Sequence, residues 1–227
     1  MTAGGGTGGP PGQHVSVRES LVAYGRRLVS DDLVDGMSGN LSARAGDLIA
    51  ITPSGVPYPE MAPAEICLVR PGDGSTAAGG KPSTETPMHL AVYRATDAAA
   101  IVHTHSPFVV ALSTVLDELP AVHYAMAGLG GPVRVAPYAR FGTQELADGA
   151  VAALAGRAAV ILRNHGALAY GGSLGQAYDR ARTLEWLARV YWHARLAGSP
   201  VTLTVAQLDE VREATRAIGY GEPGPRP

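Results

Sequence analysis

The chain has 227 residues, 46% of them hydrophobic, and 18 basic against 20 acidic side chains leave a formal net charge of -2. That length suits one α/β or α+β domain with a sizeable core, and near-neutral charge argues against a nucleic-acid partner, which calls for a basic surface. No apolar run approaches the roughly 20 residues needed to cross a bilayer, and the single cysteine, Cys67, excludes an internal disulfide framework and fits a reducing cytoplasm.

The first 13 residues are rich in Gly and Pro and read as a mobile tail. They lack the positive region and apolar centre of a secretory leader. Val15 to Val34 carries Val17, Leu21, Val22, Leu28 and Val29 at helical spacing and reads as an amphipathic helix. Gly36-Met37-Ser38-Gly39-Asn40 is a turn of small residues that tolerate positive φ. Leu48 to Thr52 reads as a strand stopped by Pro53-Ser54-Gly55, and Ile66 to Val69 as a short strand followed by a loop from Pro71 to Gly80.

Ser83-Thr84-Glu85 opens a helix to about Ala95, with a hydroxyl available as N-cap. Ala99 to Thr104 is a buried strand, and Ser106-Pro107 starts the next helix. Further helices are predicted over Thr143 to Leu154, Ser173 to Leu196 and Val205 to Ile218, with a strand over Ala158 to Leu162. The segment Gly221 to Pro227 reads as frayed. Strands and helices interleave without a repeat or a linker break, which predicts one α/β domain.

Lys81 is the only lysine, and it sits in Gly79-Gly80-Lys81-Pro82, which reads as an exposed loop. A Schiff-base enzyme would depend on that one residue, so covalent lysine chemistry is discounted. The histidines are more informative. His103-Thr104-His105 ends an apolar strand, and residues two apart on a strand share a face, so both imidazoles can reach one ion. A His-x-His alone is more often a pair of satisfied hydrogen-bonding residues. Here Asn164-His165-Gly166 puts a third imidazole at another strand end, and Glu85 stands at a predicted helix start. Three His and one Glu make the ligand set of a zinc-type site. His89, one turn after Glu85, reads as a structural or supporting residue; His14, His123 and His193 have weaker claims.

Three small-residue turns, Ser38-Gly39-Asn40, Ser54-Gly55 and Ser83-Thr84, offer hydroxyls, a carboxamide and approachable backbone N–H groups. Such groups cradle a phosphate near a helix start, and each alone is equally well just a turn.

These motifs occur in a recognisable order. Residues 36–40, Thr52-Pro53-Ser54-Gly55, Lys81-Pro82-Ser83-Thr84-Glu85, His103-Thr104-His105, Ala121-Val122-His123-Tyr124, Ala136-Pro137-Tyr138, Phe141-Gly142-Thr143 and Asn164-His165-Gly166 together resemble the class II aldolase/adducin family over about Ser16 to Tyr220. The resemblance implies a three-layer α/β/α domain with a central, mostly antiparallel sheet over residues 14–220. It implies Zn2+, or Mn2+, Co2+ or Fe2+, held by Glu85, His103, His105 and His165. It places Asn40, Ser54, Gly55, Ser83 and Thr84 on the phosphate of a (deoxy)ketose 1-phosphate, such as L-fuculose 1-phosphate or a 5-deoxypentulose 1-phosphate. Members similar to this chain cleave such sugars reversibly into dihydroxyacetone phosphate and a small aldehyde.

By the same resemblance, Glu85 shuttles the proton at C3, and Tyr124 of a neighbouring subunit exchanges a proton with the C4 oxygen. Tyr220 is the second tyrosine of the cleft, Phe141 lines the aldehyde side, and the assembly is a homotetramer with shared sites. One departure is Met37, where similar aldolases tend to have a threonine, so one hydroxyl contact to phosphate is missing. Same-fold dehydratases and decarboxylases have similar ligands, and epimerases tend to place aspartate where Glu85 stands. A non-catalytic adducin-like module would be expected to lose the ligands.

Overall fold

The computed structural model describes residues 11–219. Nine strands form one sheet in the order β4-β3-β2-β1-β5-β9-β8-β7-β6. In chain order they are β1 (Asn40–Ala45), β2 (Leu48–Ile51), β3 (Cys67–Val69), β4 (Thr76–Ala78), β5 (Ala100–Thr104), β6 (Glu118–Leu119), β7 (Val133–Ala136), β8 (Ala159–Leu162) and β9 (Gly166–Gly171). Every pairing is antiparallel except β7 with β8. The helices are α1 (Pro11–Ser30), α2 (Thr86–Ala95), α3 (Pro107–Ser113), α4 (Gln144–Leu154), α5 (Leu174–Ala197) and α6 (Val205–Ala217).

Strand alternation builds two cores, one on each face of the sheet. Ala100 and Val102 of β5 and Ile161 of β8 join the core with Leu21 and Leu28 of α1, Leu112 of α3, Leu184 of α5 and Leu208 of α6. Ile101, Val160, Leu162 and Leu168 point the other way and pack with Met88 and Val92 of α2 and Leu146 of α4. Each fully buried Leu or Ile of this kind contributes about 1.5–3 kcal/mol relative to exposure. The result is three layers, helices on both sides of a mostly antiparallel sheet, as the resemblance implies.

Some elements depart from the sequence reading. Helix α1 begins at Pro11 and ends at Ser30, so residues 11–13 are helical rather than part of a tail; the chain leaves the helix through Asp32, whose φ is 56. Helix α2 starts three residues later than expected. Glu85 is its N-cap, and Pro87 occupies the first turn, where a missing N–H costs nothing. The Ser83 hydroxyl instead accepts the backbone N–H of Glu85 at 3.2 Å. Thr143 and Ser173, where the sequence reading begins two helices, are the N-caps of α4 and α5 and accept from Leu146 and Gln176. Strands β1, β4, β6, β7 and β9 are additional to those expected. Residues 1–10 and 220–227, which include Tyr220, most of the proposed N-terminal tail and all of the proposed C-terminal one, lie outside the described residues.

Three pairings position the site. Asn40 at the start of β1 stands opposite His103 in β5, and His103 stands opposite Leu168 in β9. Strands β8 and β9 form a hairpin whose ends, Leu162 and Gly166, are paired. The hairpin tip holds Asn164 at φ 54 and turns His165 back toward the end of β5.

Candidate metal centre

His103 sits on the face of β5 that looks toward α2, and the N-cap of α2 is Glu85. The two meet with Glu85 Oε2 3.0 Å from His103 Nε2. Glu85 Oε1 lies 3.3 Å from His165 Nε2, and His105 Nε2 is 3.0 Å from His103 Nε2. The three imidazoles stand edge-on to one another, with ring centroids 4.8 to 4.9 Å apart. One ligand atom from each of Glu85, His103, His105 and His165 falls within 4.8 Å of every other.

The donor set fits a divalent cation. His103 donates its Nδ1–H to the carbonyl of Ala167 at 2.8 Å, which leaves the Nε2 lone pair facing inward. Glu85 Oε1 is buried without a hydrogen-bond partner, a costly arrangement unless a cation completes it. Burial pushes His105 down to about 3, reinforced by His103 and His165. Burial and then His103 push His165 down to about 4. Both rings are therefore neutral at neutral pH, the form in which an imidazole can accept a cation. Burial disfavours charge on His103, but the Glu85 carboxylate beside it pulls its pKa up. The positive charge that Glu85 calls for at this point is what a divalent ion supplies. For Glu85, burial works toward protonation, and His103, His165 and the Asn40 amide outweigh it, holding the carboxyl far below the usual range.

Backbone packing around the ligands is tight. A Cβ on Gly166, next to His165, would stand 2.1 Å from the carbonyl oxygen of Thr104 and 3.0 Å from the His105 ring. A Cβ on Gly39, already at φ +72, would stand 2.6 Å from the carbonyl oxygen of His103. Both glycines let neighbouring backbone reach the strand end that carries two ligands.

The proposed phosphate turns lie side by side. Pro53 and Pro82 form an isolated bridge, with Ser54 N–H bonded to the Lys81 carbonyl at 2.9 Å and Ser83 N–H to the Thr52 carbonyl at 3.1 Å. Ser54, Gly55, Ser83 and Thr84 are thus neighbours at the start of α2. Phe141 is exposed in the loop whose Gly142 approaches the Thr84 backbone, a Cβ there coming within 3.0 Å of the Thr84 carbonyl oxygen. Met37 is exposed, and so is Lys81.

Asn40 is deeper than an open cradle residue: its Nδ2 donates to Glu85 Oε2 at 2.9 Å and its Oδ1 faces His89 Nε2 at 2.6 Å. Tyr124 is 59% exposed and opens a short 3-10 segment in the layer of α5 and α6. Its ring stacks on His123, which in turn packs on Trp186 of α5. Among the described contacts none joins Tyr124 to the histidine cluster of its own chain.

His89, Ser42 and Tyr93 complete a polar chain behind Glu85 that sequence reasoning did not assemble. The one available signal was His89 standing four residues after Glu85. Ser42 and Tyr93 carry no motif.

In this three-layer α/β/α fold, two histidines at the end of β5, one in the β8–β9 turn and a helix-cap glutamate make a cluster that could hold a metal ion. The chain matches the family described as Class II Aldolase and Adducin N-terminal domain over residues 19–192. It belongs to that family. It is 39% identical over 209 residues to a 5-deoxy-D-ribulose 1-phosphate aldolase of Bacillus thuringiensis serovar kurstaki, covering 90% of this chain and 97% of the relative. It is 36% identical over 219 residues to a 5-methylthioribulose-1-phosphate/5-deoxyribulose-1-phosphate aldolase of Rhodospirillum rubrum, covering 96% and 99%. A solved L-fuculose 1-phosphate aldolase superposes with a TM-score of 0.85 at 38% identity, covering 89% of this chain and 99% of the other.

Proposed function

We propose that this protein is a cation-dependent lyase that cleaves a deoxyketose 1-phosphate reversibly into dihydroxyacetone phosphate and a small aldehyde. 5-Deoxyribulose 1-phosphate, giving acetaldehyde, and L-fuculose 1-phosphate, giving lactaldehyde, are the substrates favoured by the relatives. The convergence of Glu85, His103, His105 and His165 beside the Ser54 and Ser83 turns carries this reading.

Zn2+, or Mn2+, Co2+ or Fe2+, held by those four residues supplies Lewis-acid stabilisation of the negative charge that develops as the C3–C4 bond breaks. The turns at Ser54-Gly55 and Ser83-Thr84 bind the phosphate through hydroxyls and backbone N–H groups at the start of α2, with one Asn40 amide hydrogen still available to it. In the synthetic direction the ionised Glu85, through Oε1, takes a proton from C3 of dihydroxyacetone phosphate, the electron pair released forms the C3–C4 bond to the aldehyde carbon, and the Tyr124 phenol of a neighbouring subunit gives its proton to the C4 oxygen. Cleavage is the same sequence reversed, and solvent returns the proton from Glu85 to Tyr124 between synthetic turnovers. Phe141 lines the aldehyde side, and Tyr220 serves as the second tyrosine of the cleft. The assembly is a homotetramer working in the cytoplasm.

Dehydration and decarboxylation are less favoured because the named relatives are aldolases. A non-catalytic adducin-like role is disfavoured by an intact ligand set. The test is a panel of phosphorylated ketoses with product identification by NMR. Dihydroxyacetone phosphate is expected from the cation-loaded protein, and its absence with every deoxyketose 1-phosphate overturns the reading. Glu85→Gln should lower turnover by about 10²–10⁴-fold.

A further inference from the structure

Behind Glu85 runs a buried chain of hydrogen bonds crossing from the first turn of α2 to β1 and back. Asn40 Nδ2 lies 2.9 Å from Glu85 Oε2, Asn40 Oδ1 lies 2.6 Å from His89 Nε2, His89 Nδ1 lies 2.7 Å from Ser42 Oγ, and Ser42 Oγ lies 2.9 Å from the Tyr93 hydroxyl. All five side chains are buried, His89 and Ser42 fully. Asn40 and Ser42 share the α2-facing side of β1, two residues apart, and His89 and Tyr93 share one side of α2, four apart.

The direction of every bond is determined by the first. An ionised carboxylate only accepts, so Asn40 must present its NH2 to Glu85 and its carbonyl to His89. That carbonyl needs a donor, so the proton of His89 is on Nε2. Wholly buried, with no carboxylate in contact, His89 is neutral, and its bare Nδ1 must accept from Ser42. The Ser42 hydrogen is then committed, so Tyr93 must donate to Ser42. Turning the Asn40 amide over would aim its carbonyl at the Glu85 carboxylate and require the His89 tautomer and the Ser42 hydroxyl to reverse with it. The chain therefore has one stable polarity.

We propose that Asn40, His89, Ser42 and Tyr93 form a one-way relay that positions Glu85, fixing Oε2 as the anchored oxygen and leaving Oε1 as the oxygen that exchanges the proton. This rests on the reading of Glu85 as ligand and proton carrier. The two oxygens are already unequal: Oε2 accepts from Asn40 and lies 3.0 Å from His103 Nε2, whereas Oε1 accepts no hydrogen bond and has only His165 Nε2 near it, at 3.3 Å. His89 and its supports are positioning residues, acting on Glu85 through Asn40. Outer hydrogen-bond partners of ligands of this kind commonly change cation affinity by about 10–100-fold.

The test uses His89→Leu, which removes both ring nitrogens, and His89→Gln, whose amide N–H faces Asn40 while its carbonyl faces Ser42. The probe is Co2+ added to cation-free full-length protein, with affinity measured by chelator competition and ligand geometry by the visible absorption of the bound ion. His89→Leu should weaken Co2+ by about 10–100-fold and alter its absorption, with kcat falling and KM for the ketose phosphate unchanged, and His89→Gln should restore most of both. Should His89→Leu fail to fold, Ser42→Ala removes a single oxygen and should shift affinity and spectrum the same way by severalfold. Wild-type affinity and spectrum in folded His89→Leu, or in Ser42→Ala where it replaces it, overturn the relay while leaving the aldolase reading standing. Weakened Co2+ binding in a protein that cleaves no ketose phosphate overturns the aldolase reading and leaves the relay. A wild-type protein that takes up no Co2+ overturns both.

Discussion

The four side chains of the proposed cation site are held by backbone geometry as much as by their own contacts, and Gly166 shows this most directly. A methyl group there collides with the Thr104 carbonyl oxygen, a backbone atom between two ligands, so relief requires β5 and β9 to separate. Gly166→Ala should cost about 1–3 kcal/mol of stability and weaken cation uptake, read together by urea unfolding and chelator competition; unchanged values for both would show that the strand ends are looser than this packing implies. His89 makes a second prediction. Burial holds it down to about 3, against an ordinary value of 6.5. Between those values the unfolded chain binds a proton that the folded chain does not, so His89 favours the fold above pH 6.5 and its contribution is lost as pH falls. One such group adds a slope of about 1.4 kcal/mol per pH unit. The cation-free protein should lose stability from pH 6.5 toward 4, and His89→Gln should show a shallower decline in chemical unfolding; equal slopes would contradict a neutral buried His89.

Among the elements, the short helix α3 illustrates how one layer steadies a ligand in another. It begins two residues after His105, and its first amides, on Phe108 and Val109, each donate to the Glu185 carboxylate of α5 at 3.0 Å. Glu185→Ala leaves two helix-start N–H groups without that acceptor and should cost about 1–3 kcal/mol, visible as a lower urea midpoint, with Glu185→Gln losing less. Equal midpoints for Glu185→Ala and wild type would mean water replaces the carboxylate fully. The same elements show what was legible in the chain. The β5 and β8 runs, the caps at Thr143 and Ser173, and the shared face of His103 and His105 follow from alternation and capping chemistry, so the ligand set could be read before any fold. Strand β1 could not, because Asn40 and Ser42, polar residues following a turn of glycines, look solvated, yet their polarity is consumed by the buried chain to His89. Strand β9 has Gly at both ends and only Leu168 and Tyr170 as larger residues among alanines, so the glycines that let β5 and β8 press close also make it read as loop. The Asn40–His89–Ser42–Tyr93 chain joins two residues from each of two elements, and no spacing rule connects them.

At the scale of the whole molecule, the three layers divide the proposed acid–base pair. Glu85 lies on the α2 and α4 side of the sheet, while Tyr124 stands exposed in the layer of α5 and α6, beside His123 and Trp186. A single chain therefore offers one half of the pair at its cation centre and displays the other half outward. Sharing between subunits makes a specific demand: a site is competent when Glu85 of one chain and Tyr124 of its neighbour are both intact. Homo-oligomers of Glu85→Gln and of Tyr124→Phe should each be weakly active. Dissociated, mixed in equal amounts and reassembled, they should regain activity, because random assembly around a closed ring makes about a quarter of the sites fully wild type. Steady-state release of dihydroxyacetone phosphate before and after mixing reads the outcome. No regain on mixing, with hybrid assembly verified by native mass spectrometry, would place Tyr124 in the cleft of its own chain or remove it from the reaction.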